Sequence, residues 1–220
     1  MVRIKYNTFI FDFDYTLADS TVGIAKSINY ALEKLGLAPK NTDEIRKTIG
    51  MTLKETFRIL TGIESDSVSS DFIHYFMEKA DEVMVDNTDL FSDTVLILEQ
   101  LKNEGFKTAI VTTKVSYRIV EVLEKNRSRH LIDYIVGFED VREAKPAAEG
   151  LLKAVKALNS EKEKVLYIGD SLIDAKTAQN AGIDFAAVTT GTTAAQDFKQ
   201  FPHILIADSL TNLFAGLRAR

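Results

Sequence analysis

The sequence predicts an α/β protein: a Rossmann-like parallel sheet core with helices on both faces, interrupted by an inserted α-helical domain. Three observations predict it. The stretch FIFDFDYTLADS, Phe9–Ser20, opens as an unbroken apolar run and stops on carboxylates. A run without alternation suits a central parallel strand covered on both faces. From Leu90 onward, short apolar runs alternate with amphipathic helical segments, the pattern of repeated β–α units. Between these regions lie roughly 70 residues, within the size of a small domain, with helical periodicity and no convincing strand. The expected division is residues 1–16 with 88–220 for the core and 17–87 for the helical insert. Its two crossings, near Leu17–Asp19 and Asp86–Leu90, are candidate hinges.

The elements follow in order. Tyr6–Phe11 reads as the first strand. In the insert, Ile24, Ile28, Ala31, Leu32 and Leu35 recur at helical spacing, and Gly36 ends that helix. Thr42 is the expected N-cap of a short helix carrying Ile45 and Ile49, broken by Gly50. Thr52 is the expected cap of another, with Phe57, Ile59 and Leu60 on its apolar side and Gly62 at its end. Ser67–Val85 carries Val68, Phe72, Phe76, Ala80 and Val83, the stripe of a long amphipathic helix. In the second part of the core, Ser92 begins a helix through Leu96, Ile97 and Leu101 that Gly105 ends. Strands are expected at 106–112, 134–137, 164–168, 183–188 and 204–206. Helices are expected at 116–125, 147–158 and 172–181, and from Leu210 onward. There is no internal repeat, low-complexity segment or Pro-rich linker.

Composition narrows the function classes. The chain has 220 residues, 45% hydrophobic and 27% charged, the balance of an ordinary globular protein. Its net charge of −5, with no basic block, argues against nucleic-acid or anionic-membrane partners. With no cysteine there is no disulfide framework, thiolate metal site or cysteine nucleophile. The apolar run near the start is too short for a signal peptide, and no stretch approaches the ~20 apolar residues of a bilayer span. A cytoplasmic location is compatible with this.

The chemistry-bearing residues fall where core strands end. The first strand gives Asp12 and Asp14, with Thr16 two further on; the second gives Thr112, Thr113 and Lys114. The third leads through Glu139 and Asp140 to Lys145–Pro146, and the fourth gives Gly169, Asp170, Ser171 and Asp174. In a parallel sheet these ends share one edge, where open α/β sheets bind ligands. Carboxylates from separate strands form a hard oxygen site suited to Mg²⁺. A hydroxyl and an ammonium beside it suit the remaining oxygens of a phosphate, and phosphoryl transfer is catalysed chiefly by positioning and charge stabilisation. Taken singly, each residue also has a structural reading. Thr112 is equally a strand end or cap, and Asp170 equally a helix N-cap. Lys145 alone reads as a surface lysine before a helix begun by Pro146. Gly191, in TTGTT, reads as a loop whose backbone amides could approach the site.

As an ordered set, these residues resemble the haloacid dehalogenase (HAD) superfamily, in its phosphoglycolate-phosphatase-like branch with a helical cap. The set is Asp12-Phe13-Asp14-Tyr15-Thr16 (DxDxT), Thr112, Lys145-Pro146, and Gly169-Asp170-Ser171-Leu172-Ile173-Asp174 (GDxxxD). The resemblance covers essentially the whole chain, and the insert lies between the first and second motifs as that branch requires. Thr113 stands where Asn or Ser is common, and Ala147-Ala148 where many relatives carry a second Pro.

The resemblance implies roles. Asp12 is then the nucleophile that forms an aspartyl-phosphate and a Mg²⁺ ligand. Asp14 is the acid/base and binds metal through its backbone carbonyl. Thr112 bonds the phosphoryl group, with Thr16 and Thr113 beside the substrate, and Lys145 neutralises charge on Asp12 and the phosphate. Asp170 completes the metal site directly, and Asp174 does so through water or by orienting a neighbour. The segment Ile45–Leu53 resembles the branch's specificity loop. It offers Arg46, Lys47, Thr48, Gly50 and Thr52 to the substrate, although Arg46 and Lys47 read equally as solvated residues.

The expected function is Mg²⁺-dependent hydrolysis of a small phosphate monoester such as phosphoglycolate. The alternatives are an inorganic pyrophosphatase or nucleotide phosphatase, a sugar phosphomutase, and a non-catalytic phosphate-binding module. Dehalogenation is disfavoured, since the resemblance gives dehalogenases no acid at the position of Asp14. The expected partner is a small phosphorylated metabolite, for a monomer or homodimer.

Overall fold

A computed structural model describes residues 4–219. In chain order, β1 (Thr8–Phe11) leads to β2 (Ala18–Asp19). The helices α1 (Thr21–Lys34), α2 (Thr42–Arg46), α3 (Leu53–Thr61) and α4 (Asp66–Val83) follow, and β3 (Asp89–Leu90) returns. Then come α5 (Thr94–Asn103), β4 (Lys107–Val111), α6 (Ser116–Lys125) and β5 (Tyr134–Val136). The chain continues with α7 (Glu149–Ala157), β6 (Val165–Gly169) and α8 (Leu172–Ala181), then β7 (Asp184–Val188), β8 (Leu205–Ala207) and α9 (Leu210–Arg218). The chain divides into two compact units. One ends at Ala18 and resumes at Leu90; the other is Asp19–Asp89. β2 and β3, the chain crossings, pair with each other in a two-stranded sheet.

The first unit is built on a six-stranded sheet in the order β5-β4-β1-β6-β7-β8. Every pairing in it is parallel, with Thr8 opposite both Lys107 and Val165. The apolar runs explain this, because β1, β4 and β6 are buried along nearly their whole length, as a sheet covered on both faces requires. Phe9 packs edge-on against Phe106 and Phe214, 5.2 and 5.1 Å between ring centroids. Ile10, Tyr167, Leu151, Ala178 and Phe185 belong to one buried cluster.

The helical unit has its own core of Ile24, Ile28, Leu32, Phe57, Phe72, Phe76 and Ala80. Its short helices are held by local capping. Thr52 and Glu55 form a capping box on α3, and Gly62 ends that helix in the left-handed region at φ 73°.

Several boundaries differ from expectation for local reasons. Asn41, not Thr42, caps α2, because its side chain accepts from Glu44 N–H while the Glu44 carboxylate reaches back to Asn41 N–H. α5 begins at Thr94 rather than Ser92, and the Thr94 hydroxyl donates to the Leu17 carbonyl. α7 begins at Glu149, not Ala147, after the cis Lys145–Pro146 peptide, so Pro146 does not open it. Ile59 and Leu96 are each 53% exposed rather than on the apolar stripes. At about 100° per residue Ile59 faces away from Phe57, and the α5 stripe runs through Ile97, Leu98 and Leu101 instead.

Candidate active site

β1 lies between β4 and β6, so three strand ends meet at its carboxyl edge. Asp12 extends the ladder, its N–H donating to the Ile168 carbonyl at 2.9 Å, and Thr112 N–H reaches Val136 O at 3.1 Å. The chain then turns tightly: Leu17 N and Ala18 N both donate to Phe13 O, and Tyr15 sits at φ 59°. The Thr190 hydroxyl donates to the Tyr15 carbonyl, and Thr16 Oγ1 lies 3.4 Å from Asp170 Oδ1. Glycines permit the two closest approaches. A Cβ on Gly169 would stand 2.5 Å from the Cβ of Asp174, and one on Gly191 would overlap Asp170 Oδ2.

Lys145 is the centre of a buried charge cluster. Its Nζ donates to Asp174 Oδ1 at 2.7 Å and to the Tyr167 hydroxyl at 3.2 Å. It also lies 2.9 Å from Asp12 Oδ1, an ion-pair contact without hydrogen-bond angles, so this buried oxygen lacks a hydrogen-bond donor among the described residues. Asp174 is fully engaged. Oδ1 accepts from Lys145 and from the Tyr167 hydroxyl at 2.7 Å, and Oδ2 accepts from Ser171 N at 3.1 Å and Ser171 Oγ at 2.5 Å.

Charge in this cluster is unbalanced. Asp12, Asp170 and Asp174 are buried, with one carboxylate oxygen of each within 4.8 Å of the others, and Lys145 pairs with Asp12 and Asp174. Burial pushes the Asp12 carboxyl up to about 7; Lys145 opposes this and Asp174 adds to it. Burial, then Asp174 and Asp12, likewise raises Asp170 well above the usual carboxylate range. Burial works against the charge of Lys145, yet Asp12 and Asp174 outweigh it and hold its ammonium above the ordinary value. Burying unmatched charge is costly. An oxygen lacking a donor beside excess carboxylates therefore fits a hard divalent cation, for which Asp12, Asp170 and Asp174 could supply ligands.

Asp14 stands apart from that triad. Its Oδ1 accepts from Lys114 Nζ at 2.9 Å, in a pair with little solvent exposure. Thr112 Oγ1 accepts from Lys114 N–H at 3.3 Å, which turns its own O–H elsewhere. Thr113 is half-buried in the same turn. Asp170 does not cap α8; Ser171 does, with Asp174 completing the capping box.

In the helical unit, Arg46 ends α2, Lys47 is exposed just after it, and Gly50 follows at φ 95°. Two neighbours offered to the substrate are committed within this unit. Thr48 is buried with its hydroxyl on the Ile45 carbonyl, and the Thr52 hydroxyl bonds Glu55 Oε2.

Three residues escaped sequence reasoning as site residues. Lys114 was visible at a strand end but belongs to no motif. Tyr167 carried a usable signal, because a hydroxyl inside an otherwise aliphatic buried strand needs a partner. Thr190 carried none, since its bond to Tyr15 spans 175 positions.

The comparisons with known proteins agree with this architecture. Residues 9–188 match the family model described as haloacid dehalogenase-like hydrolase. The chain is 30% identical over 182 residues to a phosphoglycolate phosphatase of Aquifex aeolicus, covering 83% of this chain and 84% of that protein. It is 29% identical over 186 residues to the pyrophosphatase PpaX of Bacillus cereus (strain Q1), covering 84% of each. A haloacid dehalogenase-like hydrolase of known structure from Bacteroides fragilis superposes with a TM-score of 0.92 at 43% identity, over 94% of this chain and 99% of that one. The chain therefore belongs to the haloacid dehalogenase-like hydrolases. Within that family it is an enzyme of the phosphatase type. Among the described residues no helix is long and apolar enough to cross a membrane.

Proposed function

We propose that the protein is a Mg²⁺-dependent phosphatase that hydrolyses a small phosphate monoester, phosphoglycolate-like, through an aspartyl-phosphate on Asp12. The observation that carries this reading is the buried Asp12 carboxylate beside Lys145 in a group of three buried acids, with one oxygen lacking a hydrogen-bond donor among the described residues. When bound, Mg²⁺ supplies charge that offsets repulsion between this carboxylate and an anionic substrate. Asp12 and Asp170 would hold it, with the Asp14 backbone carbonyl. Asp174, already accepting four hydrogen bonds, acts chiefly by orienting Lys145.

The chemistry then runs through this chain's own groups. An Asp12 carboxylate oxygen attacks phosphorus as the ester P–O bond breaks, and the departing oxygen takes a proton from Asp14. The Thr112 hydroxyl donates to a phosphoryl oxygen while Lys145 balances the charge. Water then attacks phosphorus, giving its proton to Asp14, and the P–O bond to Asp12 breaks to release phosphate. The helical unit is proposed as a cap, with Arg46, Lys47 and Gly50 meeting the substrate alongside Thr16 and Thr113 of the core. A cytoplasmic enzyme, monomeric or homodimeric, acting on a phosphorylated metabolite completes the reading.

A second reading, inorganic pyrophosphatase, is favoured by the likeness to PpaX. The test is phosphate release from phosphoglycolate, hexose phosphates, nucleotides and pyrophosphate, with Mg²⁺ and with EDTA. Mg²⁺-dependent release greatest from phosphoglycolate is the expected result. Greatest release from pyrophosphate moves the assignment to the second reading, and no release from any compound removes both.

A further inference from the structure

We propose that Lys114 is a positioning residue for the proton-transfer step, acting through the carboxylate of Asp14. This rests on the phosphatase reading above, in which Asp14 is the acid/base. The ammonium lies 2.9 Å from Asp14 Oδ1, and both side chains are nearly closed to solvent. A surface lysine on a flexible stem gains little from such a pair. This one is fixed from several sides. Its backbone N–H is held by Thr112 Oγ1 and its carbonyl accepts from Phe138 N at 3.1 Å. Its Nζ also stands 5.8 Å from the ring centroid of Phe13, the residue between the two acids, within range of a cation–π contact.

The arrangement ties together two strand ends. Lys114 follows β4 and Asp14 follows β1, separated by 100 positions in sequence. An aspartate in a turn has two freely rotating side-chain bonds, and a proton donor works only within hydrogen-bond reach of the reacting oxygen. With Oδ1 on a fixed ammonium, the carboxylate plane is set before substrate arrives. Misplacement of a catalytic group by about 1 Å can cost on the order of 100-fold. Lys145 shows no such relation to Asp14: its partners are Asp12, Asp174 and Tyr167. The two lysines thus serve different halves of the same reaction.

The test uses the leaving group. An alkyl phosphate needs a proton on its departing oxygen, whereas an aryl phosphate with an acidic phenol does not. kcat/KM, which covers the first phosphoryl transfer, is measured for both ester types with wild type, Lys114→Met and Lys114→Arg. Each variant is first shown by circular dichroism to be folded. The expected result is a loss of about 100-fold on the alkyl ester with Lys114→Met, a loss of at most about threefold on the aryl ester, and partial recovery with Lys114→Arg. Equal losses on both esters, or a rise in KM with kcat unchanged, make Lys114 a substrate contact or a structural residue and overturn the proposal.

A crystal structure of Lys114→Met decides the same point without turnover. Asp14 turned away from its wild-type rotamer sustains the proposal, and Asp14 unmoved overturns it. Wild type inactive on every ester would remove the phosphatase reading, and that structure would still decide the positioning role. If Lys114→Met does not fold, Lys114→Gln takes its place.

Discussion

Two aspartate–lysine pairs begin two residues apart in one turn, and they are wired differently. Asp12 shares Lys145 with Asp174, and Asp170 lies within the same group of carboxylates. Asp14 pairs with Lys114 across the ends of β1 and β4. The first cluster sets three acids around one lysine, and burial pushes the Asp12 and Asp170 carboxyls up; in the second, an ammonium meets one carboxylate. The first is therefore an arrangement that improves when a cation arrives. The second joins two strand ends and, on the proposal above, serves geometry.

Replacing Asp12, the proposed nucleophile, gives the largest contrast. Asp12→Asn is expected to lower turnover by at least about 10⁴-fold while circular dichroism stays native, since residues acting as a unit fail together. Near-native hydrolysis would remove Asp12 from the chemistry.

The lysines should differ in stability. Lys145→Met strips the cation from two buried carboxylates and should cost about 3–5 kcal/mol in urea unfolding with EDTA present. Lys114→Met leaves one acid at a turn and should cost about 1–2 kcal/mol. Equal losses would erase the distinction between the pairs.

The smallest effect is in pH dependence. With its carboxyl raised to about 7, folded Asp12 keeps a proton that the unfolded chain releases near ~4. The folded state binds more protons across that window. Metal-free stability should therefore fall as pH rises from ~4 through 7. Asp170 adds in the same direction. Thermal unfolding in EDTA at stepped pH should show the fall in wild type, a weaker fall in Asp12→Asn, and its reversal by excess Mg²⁺. An identical slope in Asp12→Asn would place the raised group elsewhere.

Much of the fold was legible because its signals are local. FIFD, KTAIV and VLYI are continuous apolar runs that a two-sided parallel sheet demands, and α6 and α8 fall where their periodicity placed them. That the two crossings pair with each other as β2 and β3 was not legible, because two-residue strands carry no periodicity. The strand ends indicated which acids could share an edge. The resemblance set Lys145 against Asp12, but nothing indicated that Asp14 meets Lys114, because side-chain direction in a turn depends on contacts far apart in sequence. Ile59 and Leu96 mark the opposite limit, where apolar character was read as burial and the helix phase set them outward.

The capping box of α8 has a consequence of its own. Asp174 closes the first turn of that helix through Ser171 and, with its other oxygen, seats Lys145. One carboxylate is thus both a folding signal and a member of the proposed site. A chain that starts this helix out of register would also leave the lysine without its seat, so correct assembly of the scaffold would proofread the proposed reactive centre.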